Sequence, residues 1–544
     1  MGVVLKGYQA IPELLRRGGM PVVFAMLGGT NVPWIAEGER IGSLRLVRTR
    51  HEETAVNAAA GYAKSTGSVG LCSVTRGPGF ANSINAITAT ARNHLPVLLI
   101  VGESPTVERT TQQLEQKALS EIIGAGFHHA ATADEFESVF WAAYRATRRN
   151  GSVQVLSMAD RILGAEIALG EAGAEEQEPD RPTPDPAAIE TVAQALQRAD
   201  RPLIVAGQGA ALGDCRKDLE ELAERSGAAL ATTLVANRFF AGHRNDLGLC
   251  GGWSPTRSRK LIGSSDVVLT LGASLNGFTT DEGNIFDSSA TVIVCDVDEP
   301  NPVLAGNPAL VLKGDAGQVS RALVDRWRDL GLPDKKPWAE RLTFAENKVS
   351  VLECDIGHDP TLGIDPRQVF DAIDRIFPPN RVVAADSGRG VGGSMPVIVD
   401  AVDSRSFLIG NSFSSIGRGL GIAIGASTAN PDRPVVLFAG DGGFAMSMQD
   451  LDAVRLSGLD LTIVIMNDQQ YGSEVKYLVK YGLPMDVITQ QLPDIPLLAK
   501  AFDGEGHVIT AVDQLDDLCL PKPGLVILDV RIDPTADVRR SVGW

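Results

Sequence analysis

Apolar runs of six to eight residues recur along the chain, separated by stretches in which apolar residues return every three or four positions. PVVFAML (21–27), LRLVRT (44–49), VGLCSVT (69–75) and PVLLIVG (96–102) predict strands, with helices over 52–66 and 81–93 between them. Strands apolar on both faces, alternating with helices, predict a parallel sheet covered on both sides. The alternation lapses in EAGAEEQEPDRPTPDPAA (171–188), whose acids and prolines predict a linker. It resumes with RPLIVAG (201–207), AALATT (228–233), DVVLTLG (266–272) and TVIVCDVD (291–298). A second polar stretch, 335–362, precedes RVVAAD (381–386), PVVLFAGD (434–441), LTIVIMND (461–468) and LVILDVR (525–531). The pattern predicts an α/β chain of three doubly wound parallel-sheet domains, over 1–170, 189–334 and 363–544.

Composition narrows the class. Apolar residues at 44% and charged residues at 22% are ordinary for a globular chain and exclude a disordered, collagenous or coiled-coil protein. Fifty Lys and Arg against 67 Asp and Glu leave a net charge of −17, which argues against a nucleic-acid partner. Cys72, Cys215, Cys250, Cys295, Cys354 and Cys519 are scattered with no C-x-x-C pair, as expected of reduced thiols. No apolar run approaches the ~18 residues of a membrane span. The N-terminal MGVVLKGYQAIPELLRRGG lacks a signal peptide's long apolar core. A soluble, cytoplasmic protein with no membrane partner is expected.

The most specific chemistry lies in AGDGGFAMSMQDLDAVRLSGLDLTIVIMNDQQYG (439–472). One predicted strand runs into Gly440-Asp441-Gly442-Gly443, and the next ends in Asn467-Asp468. Asp441 and Asp468, 27 residues apart, thereby reach one crevice at the carboxyl ends of the strands, where open α/β sheets bind ligands. Mg²⁺ favours one or two such carboxylates together with phosphate oxygens. Glycines there let backbone N–H groups approach a diphosphate. A lone Gly-Asp-Gly is only a strand–helix turn; the second loop adds the specificity.

Together these segments resemble the GDG…NN signature of thiamine-diphosphate-dependent enzymes, in the acetohydroxyacid synthase / 2-oxoacid decarboxylase group. The resemblance implies pyrimidine-binding, central Rossmann-like and diphosphate-binding domains in that order. It implies Mg²⁺ held by Asp441, Asp468 and the backbone carbonyl of Gln470. The family usually has Asn-Asn where this chain has Asn467-Asp468, so a second carboxylate stands beside the diphosphate. Arg389 in DSGRGVGG (386–393) is expected to offset that charge. Ser387, Gly388 and Gly390 share its loop, and Gly440, Gly442 and Gly443 complete the implied cofactor contacts. In GNSFSSIGRGLGIAIGAS (410–427) the resemblance puts at Ile416 the apolar wedge that bends the cofactor. It puts at Ser414 the carbonyl that accepts from the 4′-amino group.

In the first block, Arg50-His51-Glu52-Glu53-Thr54-Ala55 resembles the family's RHE-x-x-A motif. Position alone leaves Glu52 and Glu53 equivalent, as acids at a helix N-terminus. The resemblance selects Glu52 as the catalytic carboxyl that shares a proton with the pyrimidine N1′. SVTRGPGFANSINAI (73–87) resembles the SGPG-x-x-N segment, with Arg76 replacing Ser and Pro78 in the cofactor-side turn. The family places this loop across a dimer interface, which implies a homodimer or homotetramer with shared active sites. Substrate-side candidates are Gly29, Thr30, Asn31, His94 and Gln113, with Glu115 as an alternative to Gln113. Tyr471 and Glu474 follow the metal loop and could border the pocket from a second chain.

In the central block, Gly207-Gln208-Gly209 follows a predicted strand but gives only part of a G-x-G-x-x-G. Residues 272–283 lack the charge pattern expected for FAD, so the reading leans toward a central domain without it. The expected activity is C–C bond formation or cleavage on a small 2-oxo acid or 2-hydroxy ketone, as in an acetolactate-synthase-like carboligase. The first alternative is a lyase or decarboxylase of another such substrate. An aldehyde-releasing decarboxylase would carry an early His pair, and none precedes His128. A flavin- or NAD-linked oxidoreductase is the alternative of another class. A non-catalytic relative would have no use for Glu52, Asp441 and Asp468.

Overall fold

A computed structural model describes residues 3–103, 111–171, 184–299, 308–410 and 413–542. It holds three six-stranded sheets, and every pairing within them is parallel. The first has the order Arg45–Arg48, Val22–Ala25, Gly70–Val74, Val97–Gly102, Val153–Met158, Gly126–Ala130. The third runs Phe407–Ile409, Val382–Ala385, Val435–Gly440, Leu461–Asn467, Leu525–Arg531, Glu505–Ile509. Numbered by their own succession, both sheets read 2-1-3-4-6-5. The central sheet runs Asp246–Leu249, Ala229–Thr232, Pro202–Ala206, Val267–Leu271, Thr291–Asp296, Leu310–Lys313. Its order is 3-2-1-4-5-6, that of a dinucleotide-type sheet, with the strand order reversing between Pro202–Ala206 and Val267–Leu271.

The interior strands follow the sequence pattern closely. GLCSV, VLLIVG, PLIVA and VVLTL are buried along their whole length, as strands covered on both faces must be. Other elements depart from the pattern. The helix expected over 81–93 is two helices, Pro78–Asn82 and Ile84–Arg92, broken at Ser83. The polar stretch 335–362 contains a helix, Phe344–Leu352, capped reciprocally by Thr343 and Glu346. Val3–Lys6 and Glu166–Leu169 add an antiparallel pair outside the three sheets.

The first and third domains share one hydrophobic core. The helix Glu52–Thr66 of the first packs along Gly419–Ala429 of the third, and each follows the second strand of its own sheet. The contact is made of alanines and glycines. A Cβ at Gly61 would lie 2.2 Å from the Ile422 carbonyl oxygen, and one at Gly425 would lie 1.9 Å from that of Ala58. Only hydrogen fits at those points, so the backbones touch and the entry of the Glu52 helix is fixed by packing.

Candidate active site

The parallel register that pairs Gly440 with Met466 sets the loops after these two strands side by side. Asp441 opens the helix Asp441–Ser447 and is 3% exposed. Asp468 follows the neighbouring strand, with its side chain 8% exposed. Burial pushes the Asp441 carboxyl up to about 7; the Asp468 charge adds to the rise, and the Gly442 N–H and the Gln490 amide oppose it. Burial raises Asp468 as well, against the pull of Arg389. Arg389 places Nη2 3.7 Å from Asp468 Oδ2 and donates to the Pro534 carbonyl at 2.6 Å. The Gln470 N–H donates to Asp468 Oδ1 at 3.2 Å, closing the turn. Two carboxylates buried together with one arginine make a donor set that fits a divalent cation, because a cation would offset the burial that raises both carboxyls and the Asp468 charge felt by Asp441.

The surrounding glycines have separate reasons. Gly440 has open space where a Cβ would stand, as a cradle for a ligand requires. A Cβ on Gly443 would lie 2.3 Å from Asp386 Oδ2, and one on Gly442 would lie 2.7 Å from the Tyr471 ring and 2.8 Å from Gln490 Nε2. Gly388 takes a φ of 119°, closed to other residues, and its Cβ position lies 3.8 Å from Ile416 Cγ2. Gly390 lies in the short helix Arg389–Gly392, over Met466. Ser387 is buried, and Ser414 sits at a positive φ of 55°. The structure thus brings the 386–390, 414–418, 440–443 and 468–472 segments together.

Asp386 is the residue that sequence reasoning passed over. It is 1% exposed and accepts from the Ser387 N–H at 2.8 Å, the Gly417 N–H at 2.8 Å and the Arg418 N–H at 3.3 Å. It ties the 386–390 loop to the loop of Ile416. The one signal in the sequence was an acid at the carboxyl end of a predicted strand, RVVAAD.

The second group of residues surrounds Glu52. His51 caps its helix, Nδ1 accepting from the Glu53 N–H at 3.1 Å. Glu52 is half-buried, and its Oε2 accepts from Asn82 Nδ2 at 3.1 Å. Glu53 is held elsewhere, accepting from Asn85 Nδ2 at 2.6 Å. Pro78 starts the helix that carries Asn82, and a Cβ on Gly79 would lie 3.5 Å from Glu52 Oε1. Arg76, at the family's Ser position, turns away to Asp160 and the Glu103 carbonyl. A Cβ on Gly77 would lie 2.5 Å from the Gln112 carbonyl oxygen, so the segment of Gln113 passes beside this loop; Gln113 itself is exposed.

The substrate-side candidates separate. Asn31 is 1% exposed and spends its amide on the loop itself, bonding the Met26 carbonyl, Ser73 Oγ and the Gly28 N–H. Thr30 is buried with Oγ1 lacking a partner among the described residues, and Gly29 borders open space. His94 lies away from Glu52, 3.6 Å from Asp298 of the central domain. It lines a cavity of about 820 Å³ between the first and central domains, with Arg92, Arg148, Gln208 and Asp296. Gly207 and Gly209 are explained by backbone packing, since their Cβ atoms would strike Gly272. Within the chain the Glu52 segment is tied to the residues after the Asp441 helix: the Arg50 N–H donates to Asp450 Oδ1 at 2.7 Å, Thr54 Oγ1 donates to Asp450 Oδ2 at 2.7 Å, and the Arg50 guanidinium pairs with Asp452.

The chain matches three family descriptions in succession. These are the thiamine pyrophosphate enzyme N-terminal TPP binding domain over residues 5–122, the central domain over 189–323 and the C-terminal TPP binding domain over 392–530. It is 28% identical to a probable acetolactate synthase of Mycobacterium bovis, over 93% of this chain and 91% of that one. It is 27% identical to a sulfoacetaldehyde acetyltransferase of Alcaligenes xylosoxydans xylosoxydans, over 94% and 88%. Among solved structures, the thiamine diphosphate-dependent 4-hydroxybenzoylformate decarboxylase of Rhodococcus jostii superposes with a TM-score of 0.81 at 19% identity, covering 97% of this chain and 99% of that one. Three matched domains in the order of the three sheets, on a chain that aligns over most of its length with such enzymes, mean that it belongs to the thiamine-diphosphate-dependent enzyme family.

Proposed function

We propose that the protein is a Mg²⁺- and thiamine-diphosphate-dependent lyase or transferase, an acetolactate-synthase-like carboligase acting on a 2-oxo acid or 2-hydroxy ketone. The observation that carries this reading is the pair of buried carboxylates, Asp441 and Asp468, beside Arg389. No cluster of three or more His, Cys, Asp or Glu able to hold a metal occurs among the described residues. A cation at Asp441 and Asp468 therefore takes its other ligands from the Gln470 carbonyl, from phosphate oxygens and from water. Arg389 neutralises the charge that Asp468 adds. Gly440 leaves room for the diphosphate, and Ile416, beside Gly388, offers the apolar surface against which the cofactor bends.

When bound, thiamine diphosphate supplies a nucleophilic carbon and takes up the electrons of the broken C–C bond. Glu52 holds a proton at the pyrimidine edge, oriented by the Asn82 amide on Oε2. Helix packing fixes the position of Glu52, which its task demands. The reading includes a homodimer or homotetramer in which a second copy completes each site, as the resemblance of the 73–87 segment implies. The early sequence lacks a His pair, and His128 and His129 lie in the edge strand of the first sheet, bonding Gln154 and Glu103. This favours ligation over aldehyde-releasing decarboxylation.

The test is a screen of 2-oxo acids and acyloins with thiamine diphosphate and Mg²⁺, pyruvate first, with acetolactate as the expected product. Glu52→Gln should lower kcat by roughly 10²–10⁴-fold, the range of a lost proton-transfer group. Full activity in that variant would remove Glu52 from the mechanism. A second reading, a flavin- or NAD-linked oxidoreductase, draws on the 820 Å³ cavity at the point where the central strand order reverses. Fluorescence of the supernatant after heat denaturation decides whether the purified protein carries a flavin.

A further inference from the structure

A second, small cavity of about 30 Å³ lies where all three domains meet. It is bounded by the Glu52–Thr66 helix, by Gln208 and Val235 of the central domain, and by the Phe407–Ile409 strand and Arg418 of the third. It adjoins the large cavity along Asn93, Gln208 and Val235.

Two buried cations line it. Lys64 is 8% exposed, and its Nζ donates to Gln208 Oε1 at 2.7 Å and to the Val235 carbonyl at 3.0 Å. Arg418 is 1% exposed, with Nε donating to Asn57 Oδ1 at 2.9 Å and Nη1 to the Gly410 carbonyl at 3.2 Å. All these partners are neutral. On the Arg418 guanidinium, Asp386 and Glu53 act only through their charge, although Asp386 also accepts from the Arg418 backbone N–H; Asp403 acts on Lys64 through its charge, while Arg405 repels it. Gln208 and Asn93 are the neutral polar side chains at the cavity. Gln208 is 7% exposed, and its Nε2 is buried with no partner among the described residues. Its amide orientation is set by Lys64, because the flipped amide would turn a donor toward the ammonium.

Buried cations whose direct partners are all neutral are costly, and so is an orphaned donor. A water would satisfy the Gln208 amide but give neither side-chain cation an anion in direct contact. An anion would answer all three groups at once, accepting from the ammonium, from the guanidinium and from Nε2. The volume is suitable: a water-sized guest needs roughly 10–15 Å³ by this measure. We propose that this three-domain junction is a binding site for one small monovalent anion of chloride size, held by Lys64, Arg418 and Gln208. Burial pushes Lys64 down to about 7, and a bound anion would hold its ammonium charged.

Bromide soaked into crystals is the direct probe, with anomalous data collected at the bromine edge. The proposal expects a peak in the cavity within hydrogen-bonding reach of Lys64 Nζ. In solution, the melting temperature of the wild-type protein is measured in sodium chloride against sodium gluconate at matched ionic strength. Chloride should raise it by a few degrees and saturate, as a ligand of the native state does. The increment should vanish in Lys64→Met and shrink in Gln208→Leu; if the lysine variant does not fold, the glutamine variant carries this comparison. A cavity holding only water overturns the proposal. So does a bromide peak without the chloride effect, which would mark an adventitious ion only, or a chloride effect undiminished in the variants.

Discussion

Asp468 is a second buried carboxylate where the signature that the sequence resembles would place asparagine, and the chain keeps Arg389 3.7 Å from it. If Arg389 compensates that charge, its value to the cofactor depends on Asp468. Arg389→Ala should weaken thiamine diphosphate binding in the wild type and do so less in an Asp468→Asn background. The coupling expected of residues in direct electrostatic contact is roughly 0.5–3 kcal/mol. Isothermal titration of the four proteins at fixed Mg²⁺ gives the cycle, and additive losses would mean that Arg389 acts independently. Both residues were legible in the sequence because each sits in a loop at the end of a strongly apolar strand. Asp386 was not, although it holds three backbone N–H groups. Its role arises from the meeting of loops some thirty residues apart, and a single acid has no spacing to announce it. Asn31 shows the converse: a polar residue in a promising loop is consumed by the loop's own hydrogen bonds.

At the level of elements, sequence legibility follows position in the sheet. Six sheet strands lie outside the apolar pattern: Gly126–Ala130, Val153–Met158, Asp246–Leu249, Leu310–Lys313, Phe407–Ile409 and Glu505–Ile509. All but Val153–Met158 are sheet edges; four of these are short and partly wet, where the continuous apolar signal fades, and Phe407–Ile409 is buried but only three residues long. Val153–Met158 is wholly buried, but Gln154 and Ser157 interrupt its apolar run; their side chains are satisfied by His128, Ser152 and Gln116. The Glu52–Thr66 helix was readable to the residue, since His51 and Gly67 cap it at either end. Its packing against Gly419–Ala429 was not, because the glycines at the crossing could equally have marked turns. That crossing gives a sharp expectation. In Gly425→Ala the new methyl would meet the Ala58 carbonyl oxygen at 1.9 Å, and the helices must separate. Overpacking of this kind costs about 1–3 kcal/mol or more, against a gain below about 1 kcal/mol from helix propensity. Urea denaturation should show the loss. Activity should fall further than stability predicts, because the displaced helix carries Glu52.

At the scale of the whole molecule, two sheets of identical strand order flank a third of different order, and Lys64 sits where they meet. Its ammonium has an ordinary value of 10.5 and is pushed down to about 7, first by burial and then by Arg405, with Asp403 opposing. The direction of the resulting pH dependence is fixed. Above the unfolded value the amine is neutral in both states and costs nothing. As pH falls toward 7 the unfolded chain gains a proton that the folded chain does not. Stability is therefore lost on the way down, with a slope approaching ~1.4 kcal/mol per pH unit and a total on the order of 5 kcal/mol. Below about 7 both states are charged and the slope ends. Lys64→Met abolishes this contribution while leaving every other titrating group in place. In gluconate, the stability difference between wild type and variant should change between pH 7 and pH 10 in favour of the wild type. Chloride should flatten that change, since an anion in the junction raises the folded-state value of Lys64. A difference independent of pH in gluconate would mean that the amine stays protonated when buried, and that the charge at the junction is balanced by the protein alone.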